Sequence, residues 1–329
     1  MPLRANKKQS AIEQMLRDDF HRCTGKISLS QILLLCGALS LFAVGGHSQE
    51  ITKQNLDTRQ SAASTVPNGE KGAIRTANSS AWLPAGIDQA IPPVDVNSAC
   101  PLPELLKGTT QQMIQFVNNL ERFTAMERVE HFEVSSSLRL AKPEVRNFQY
   151  VVTIQRNPGG SFILDEFRNG SDDRSQLPAN TATEGLPAMA LLFHPMLVND
   201  FNFVCEGMGQ WHERPAWQVH YIQKPGKASR LRAYVTSKEV VHVALKGRVW
   251  IDPASFQVLR LESELVEPVK EIELLNDRST IEYMPVQFQS QKEQLWLPSV
   301  AEIYVQRRDR RYYRRLTFSD FRLFNVEIR

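Results

Sequence analysis

The segment 247–261, with the sequence GRVWIDPASFQVLRL, decides the fold class. Two apolar-rich runs, Gly247–Ile251 and Phe256–Leu261, flank the residues Asp252-Pro253-Ala254-Ser255. Asp, Pro and Ser favour turns because their side chains fix or bond the local backbone. Two runs of strand length separated by such a turn are typical of a β-hairpin. The segment therefore predicts two antiparallel strands joined by a tight turn.

The same pattern covers most of the chain after Phe148. Asn157-Pro158-Gly159-Gly160 separates two further runs and predicts a second hairpin. Other strands are predicted over Trp217–Tyr221, Leu231–Thr236, Val240–Leu245, Thr280–Gln289 and Leu295–Gln306. In the last strand the apolar positions change parity between Phe318 and Phe321, and again after Leu323. A period-two pattern changes phase through bulges or bends, so the antiparallel sheet is predicted to be strongly curved.

Two helices are predicted beside this sheet. Apolar residues recur at spacings of three and four from Leu105 to Phe123, which indicates an amphipathic helix. A second helix is predicted over Leu186–Phe201, kinked or split by Pro195, and either buried or lying over a cavity mouth. The predicted fold class is mainly β with flanking helices (α+β).

The N-terminal part of the chain predicts export. Ile32–Gly46 is an apolar run preceded by basic residues, and Gly46 and Ser48 offer the small side chains of a cleavage site. The alternative is an uncleaved signal anchor, because the apolar stretch from Ile27 approaches the length that spans a bilayer. Residues 49–99 are rich in small and polar side chains and predict a disordered spacer. Residues 100–329 then form the folded domain, placed in the periplasm or elsewhere in the cell envelope.

The charge distribution argues against nucleic-acid binding, and the cysteine count indicates an oxidising compartment. The leader holds six of the 39 basic and three of the 36 acidic residues, so it carries the whole net charge of +3. A neutral remainder argues against a general nucleic-acid binder. Beyond the leader only Cys100 and Cys205 occur, which predicts one disulfide in an oxidising compartment. Two buried free thiols are the alternative.

Motifs for catalysis are absent from the sequence. It has no G-x-S-x-G elbow, no phosphate-binding loop and no C-x-x-C pair. The stretch His212-Glu213-Arg214-Pro215-Ala216 begins like a zinc-protease motif, but the second histidine is missing and Pro215 opposes a helix. The chain is therefore predicted to be no enzyme, with no catalytic residue, no metal and no cofactor. A hydrolase ranks third among the possible functions.

A cluster of arginines marks the C-terminal part of the chain, between two predicted strands. Its members are Arg307, Arg308, Arg310, Arg311, Arg314 and Arg315. One interpretation is a patch for anionic phospholipid headgroups on a membrane surface. Another is pairing with the acidic residues of 262–273 on a neighbouring strand. Binding of single-stranded nucleic acid is the weakest interpretation for an exported protein.

Aromatic residues on the predicted strands are candidates for a ligand cavity. A curved sheet closed by helices encloses an interior that its own rings fill or that a small apolar guest occupies. The candidates are Tyr150, Phe162, Trp217, Tyr221, Trp250, Tyr283, Trp296 and Tyr304.

The order of these segments resembles the periplasmic lipoprotein-sorting (LolA-like) group. The similarity rests on the exported leader, the helix Leu105–Phe123, the segment 247–261, and the stretches Ile281-Glu282-Tyr283 and Leu295-Trp296-Leu297-Pro298. The resemblance implies an unclosed half-barrel with a helical lid that holds a lipid, an acyl chain or a lipoprotein without catalysis. The alternative function is a tethered protein-interaction or sensory module of the envelope.

Overall fold

Ten strands form a single antiparallel sheet in the computed structural model. The structure describes residues 82–119, 122–156, 162–170, 187–227, 231–235, 240–288 and 294–323, all of which lie in one compact unit. The strands in the described part of the chain are β1 (Arg122–Glu133), β2 (Glu144–Arg156), β3 (Phe162–Gly170), β4 (Phe201–Trp211), β5 (Arg214–Gln223), β6 (Ala233–Val235), β7 (Val240–His242), β8 (Leu245–Ile251), β9 (Val258–Leu265), β10 (Leu274–Val286), β11 (Leu295–Arg307) and β12 (Arg310–Leu323).

The sheet is curved and open. Its order is β3-β2-β1-β12-β11-β10-β9-β8-β5-β4, while β6 and β7 form a separate two-stranded ribbon. Because β3 lies at one edge and β4 at the other, the strands form a half-barrel and not a closed one. The fold class predicted from the sequence is confirmed.

The turn of segment 247–261 forms as its residues predict. The Asp252 carboxylate accepts hydrogen bonds from the backbone N–H of Ala254 (3.1 Å) and of Ser255 (2.8 Å). Phe256 takes a left-handed backbone with φ of 58° and donates its N–H to the Asp252 carbonyl at 3.0 Å. The chain is thereby turned from β8 into β9.

One row of directly paired residues shows which face of the sheet holds the core. It crosses seven strands from β5 to β1, and all its side chains are fully buried: Val219, Val249, Leu261, Ile281, Ala301, Leu316 and Val129. We call this the inner face. The adjacent row lies on the outer face and consists of polar and charged residues: His220, Arg248, Glu262, Thr280, Glu302, Arg315 and Glu130.

The phase change predicted in the last strand is present in β12. Phe318 and Phe321 are both buried, while Ser319 and Asp320 between them are exposed and Asp320 has a φ of 52°. The pairing of β12 with β1 shifts register at the same place, between Thr124 and Met126. The strand therefore keeps its apolar side chains on the inner face by means of a bulge. The second phase change, after Leu323, lies outside the described residues.

The two predicted helices have different outcomes. The first is the helix α1 (Leu102–Asn119), shorter at its C-terminus than predicted because the chain enters β1 at Arg122. The second prediction, over Leu186–Phe201, is confirmed only in part, because the segment is split at Pro195 as predicted but forms no α-helix. Two 3-10 segments, Pro187–Phe193 and Val198–Asp200, occupy it and Phe201 already belongs to β4. Pro195 lies between them, where its ring and missing N–H interrupt a helix.

The spacer prediction fails at its C-terminal end. Residues 82–99, which we call the strap, lie across the outer face, and Ile87 in the strap is fully buried. Its backbone pairs with β4 through a bridge between Asp95 and Met208. Composition did not predict this, because the strap is held through backbone groups, one apolar side chain and the Asp88 carboxylate. Residues 1–81, which include the predicted leader, lie outside the described residues.

The predicted disulfide is present. It joins Cys100, between the strap and α1, to Cys205 on β4, with the two Cα atoms 6.4 Å apart. That separation is normal for a disulfide. The bond fixes the start of α1 to the edge of the sheet.

Candidate functional site

The helix α1 covers one end of the inner face as a lid. Its buried stripe consists of Leu105, Thr109, Met113 and Val117. The helix rests on the β8–β9 turn, where Gly108 approaches the ring of Phe256 so closely that an added Cβ would overlap it. The Gln112 amide donates to the Ser255 carbonyl at 3.0 Å and accepts from the Gln257 amide at 2.8 Å. These contacts fix the lid on the turn.

A narrow apolar cleft lies between α1 and the sheet. Its lining comes from α1, the first 3-10 segment and strands β9 to β11: Met113, Phe116, Ala190, Gln257, Val258, Tyr283, Trp296 and Pro298. Its volume is about 10 Å³, which is room for about one water molecule. With the lid in this position, the cleft is filled by its own side chains.

The apolar cleft continues into a wider polar mouth. The mouth has a volume of about 360 Å³ and shares Phe116, Gln257 and Trp296 with the cleft. Its remaining lining residues are Gln112, Gln115, Asn119, Gln294 and Leu295. A volume of this order is within the range of small-molecule sites.

The aromatic candidates are divided between the two faces of the sheet. Tyr283 and Trp296 line the cleft. Trp217 and Tyr221 are buried in the core of the inner face, and Tyr150 is packed there between Phe123 and Phe318.

Two candidates are corrected, and one is not described. Trp250 pairs with Gln218 and Arg260, and Tyr304 pairs with Tyr313, so both rings lie on the outer face. They are therefore no part of the cleft. The side chain of Phe162 lies outside the described residues.

The arginine cluster is also divided. Arg307, Arg308, Arg310 and Arg311 surround the β11–β12 hairpin tip, as predicted for a segment between two strands. Arg308 pairs there with Glu273 at 2.5 Å, with both side chains exposed. Arg315 lies in mid-strand on the outer face, directly paired with Glu302 and Glu130.

Arg314 does not belong to any surface patch. Its side chain is fully buried on the inner face, beside His131 and over the ring of Tyr312. Side chains two residues apart on a strand lie on the same face of the sheet. Since Leu316 is in the buried row of the inner face, Arg314 also lies on the inner face. The prediction that Arg314 contacts headgroups is wrong.

Buried charges occupy the part of the inner face near β1 to β3. Arg168 donates two hydrogen bonds to the Glu127 carboxylate, at 2.6 and 3.0 Å. Burial and then the Arg314 charge lower the pKa of His131 to about 4, so this imidazole is neutral at pH 7. Burial raises the pKa of Tyr150 well above its usual value.

A second buried ion pair lies where the β6–β7 ribbon meets β10. Arg232 donates to both oxygens of Asp277, at 2.8 and 2.9 Å, and the Tyr234 hydroxyl donates to the same carboxylate at 2.5 Å. Sequence reasoning missed these pairs because each joins residues far apart along the chain.

Charged residues of the outer face hold the strap. The guanidinium of Arg248 is fully buried, forms a bidentate pair with Glu206 and donates to the Ala90 carbonyl at 3.3 Å. The Ile87 N–H donates to the Glu264 carboxylate at 3.2 Å. Lys246 pairs with Asp88 at 2.5 Å, nearer the solvent.

The described residues contain no arrangement of three or more His, Cys, Asp or Glu side chains that could hold a metal ion. His212 and Glu213 form the turn of the β4–β5 hairpin, both with positive φ. Among the described residues, no helix is both long enough and apolar enough to cross a bilayer.

Comparisons with known proteins give structural likenesses alone. No protein-family model and no curated protein matches the sequence. Several solved structures are similar, and three of them are described below. A DUF1329 family protein from Desulfovibrio piger has a TM-score of 0.41 and 10% identity, covering 70% of this chain and 96% of that one.

The other two similar structures are described as lipoprotein-related. A putative outer membrane lipoprotein-sorting protein domain from Vibrio parahaemolyticus has a TM-score of 0.37 and 11% identity, over 69% of this chain and 95% of its own. The lipoprotein LppX of Mycobacterium tuberculosis has a TM-score of 0.23 and 10% identity, over 69% and 99%. A lipoprotein-sorting domain is thus among the structures this fold resembles, as the sequence pattern predicted. At these scores the likenesses assign neither a family nor a function.

Proposed function

We propose that this chain is an exported envelope protein that binds a lipid, an acyl chain or an acylated lipoprotein between α1 and the sheet, without catalysis. The observation that supports this most is the apolar cleft under the lid, which continues into the mouth. An amphiphile placed there has its chain between α1 and the sheet and its headgroup at the surface.

Binding requires the lid to move. A cavity that holds a ring the size of benzene measures about 150 Å³, and the cleft measures about 10 Å³. The start of α1 is fixed by the disulfide at Cys100, so the movement separates Gln112 and Met113 from the sheet while Leu102 stays in place. Burial of an acyl chain is worth about 0.8 kcal/mol per CH₂, so ten buried groups give about 8 kcal/mol to offset the opening.

The test is uptake of a fluorescent fatty acid by the purified chain, with native mass spectrometry of the protein as isolated. Phe116→Asp puts a carboxylate between cleft and mouth at a half-buried position, and we expect it to weaken uptake by more than tenfold. Gln111→Asp, at an exposed position of the same helix, is the matched control. No uptake by the wild-type chain, or equal uptake by both variants, refutes the proposed site.

Export to the envelope is part of the proposal and depends on the leader. N-terminal sequencing of the protein from cells tests it. A mature protein that begins just after Ser48 supports cleavage and a free periplasmic domain. A protein that still begins at Met1 and sediments with membranes supports the anchored alternative, and one found in the cytoplasm refutes export.

We further propose that the exposed arginines of the β11–β12 tip contact anionic membranes. Arg308 and Arg310 are exposed there. Flotation with vesicles that contain anionic phospholipid tests this. Arg308→Glu with Arg310→Glu is expected to reduce flotation several-fold, and the same pair replaced by Lys is the control. Flotation that is unaffected by the charge reversal refutes the contact.

A further inference from the structure

The lining of the mouth has an unusual composition. Among the described residues that line it, the polar side chains are all carboxamides and the rest are apolar or aromatic: Gln112, Gln115, Phe116, Asn119, Gln257, Gln294, Leu295 and Trp296. None of these described lining residues is ionisable. The described lining residues therefore carry no charge of their own that could pair with a charged headgroup.

The C-terminal end of α1 also disfavours an anionic headgroup. The helix α1 ends at Asn119, Gln115 lies about one turn before it, and the last turn has no basic residue. The C-terminus of a helix carries a partial negative charge from its unpaired carbonyls. It therefore opposes a phosphate or carboxylate headgroup, which a protein usually holds with Arg, Lys or a helix N-terminus.

The arginines of the β11–β12 hairpin tip lie too far from the mouth to supply a positive charge there. The mouth lies at the start of β11, where Leu295 and Trp296 line it, and the arginine tip lies after Arg307 at its end. The strand rises about 3.3 Å per residue, so the two are about 40 Å apart along the sheet. A ligand headgroup held at the mouth does not reach the arginines of this hairpin tip. The Arg214 guanidinium does approach the lining, but it lies over the Trp296 ring, 6.0 Å from the ring centroid, and is not itself a lining residue.

Carboxamides and aromatic rings together suit a hydroxyl-rich headgroup. A hydroxyl both donates and accepts, and each carboxamide offers two N–H donors and a carbonyl acceptor. Gln112 and Gln257 are already positioned by their mutual hydrogen bond of 2.8 Å. Among the described residues, none hydrogen-bonds the side-chain amides of Gln115 and Gln294, so these two are available to a ligand. Phe116 and Trp296 add flat apolar surfaces beside them.

We infer that the ligand is a neutral glycolipid, with its sugar headgroup in the carboxamide mouth and its acyl chain in the apolar cleft under α1. The inference rests on the proposed function, since the same cleft takes the chain. It adds the chemical class of the headgroup, which the apolar cleft alone does not specify.

The experiment compares amphiphiles that share one chain and differ in headgroup. Dodecyl maltoside, dodecylphosphocholine and dodecanoate are titrated below their micelle concentrations into the purified chain, with binding followed by tryptophan fluorescence and calorimetry. We expect dodecyl maltoside to bind at least about tenfold more tightly than the other two. Maltose alone is expected to bind at least about a hundredfold more weakly than dodecyl maltoside, because it lacks the chain.

Variants then assign the selectivity to the mouth. Gln115→Leu and Gln294→Leu are each expected to weaken dodecyl maltoside binding about three- to tenfold, the effect of one hydrogen bond, and to leave dodecanoate binding unchanged. Gln111→Leu, an exposed amide on the same helix outside the mouth, is expected to change neither.

The outcomes separate this inference from the proposed function. If none of the three amphiphiles binds, the proposed function fails and the inference with it. If all three bind equally, or dodecanoate binds best, the cleft takes a chain but the inference is overturned. Maltose binding as tightly as dodecyl maltoside would assign the mouth to a free sugar and overturn the glycolipid. Equal effects of the Gln111 and Gln115 replacements would also overturn it.

Discussion

Replacement of Arg248 by alanine tests whether the strap belongs to the folded domain. Arg248 has no solvent exposure and holds three partners: both oxygens of Glu206 and the Ala90 carbonyl. Its removal leaves the Glu206 carboxylate, which is 15% exposed, without its cation. Breaking a buried ion pair from one side costs about 3–5 kcal/mol. We expect Arg248→Ala to lower the free energy of unfolding by that amount.

Lys246 gives a matched control, because it lies on the same strand and also contacts the strap. Its nearer partner Asp88 is 53% exposed, and Glu264 lies farther away at 3.4 Å. An exposed pair contributes at most about 1 kcal/mol, so we expect Lys246→Ala to cost clearly less than Arg248→Ala. Urea unfolding at pH 7 measures both variants, and limited proteolysis reports whether the strap is released. The double variant Arg248→Met with Glu206→Gln removes both charges and is expected to recover much of the loss.

The result that would refute this reasoning is specific. Equal costs for Arg248→Ala and Lys246→Ala, both below about 1 kcal/mol, would show that the guanidinium is not held as the structure shows. A strap cleaved as rapidly in the wild-type chain as in Arg248→Ala would show the same.

Three other predictions concern stability. The disulfide closes a loop over a sequence separation of 105 residues, so we expect replacement of Cys100 and Cys205 by Ser to lower the free energy of unfolding by up to about 5 kcal/mol. Urea unfolding measures this, and an unchanged midpoint would contradict it. Burial lowers the folded-state pKa of His131 to about 4, below the value of about 6.5 in the unfolded chain. Between these two values the unfolded chain binds more protons than the folded one, so the free energy of unfolding falls as pH drops from about 6.5 to about 4. His131→Gln should flatten this part of the profile of midpoint against pH, and an identical profile would exclude His131 as its source. A Cβ at Gly247 would overlap the Glu262 carbonyl, so Gly247→Ala should cost more than about 2 kcal/mol by the same assay, and a cost near zero would refute that packing.

The sheet could be predicted from the sequence because its signals are local. Alternation sets the face of each side chain, and turn residues such as Asp252 and Pro253 fix where strands end. Even the bulge near Asp320 is visible, since the apolar parity changes between Phe318 and Phe321. The disulfide could be predicted because only two cysteines follow the leader.

Contacts between distant residues could not be predicted in the same way. Arg314 looks like its exposed neighbours in the sequence, and only the position of Leu316 in the core row shows that it is buried. The strap depends on Ile87 and on carbonyls that meet Arg248 and Arg278, about 160 to 190 residues away along the chain. The carboxamide mouth likewise combines α1 with β11.

The central claim is that α1 must leave the sheet for a chain to enter, and a locked lid tests it most directly. Gly108 lies against Phe256, so Gly108→Cys with Phe256→Cys is placed to join α1 to the β8–β9 turn by a disulfide. Uptake of a fluorescent fatty acid is measured in the double variant before and after reduction, with the bond verified by mass spectrometry. We predict that the reduced double variant takes up the fatty acid and that the oxidised, locked double variant does not. Full uptake by a chain whose lid is locked would contradict the account.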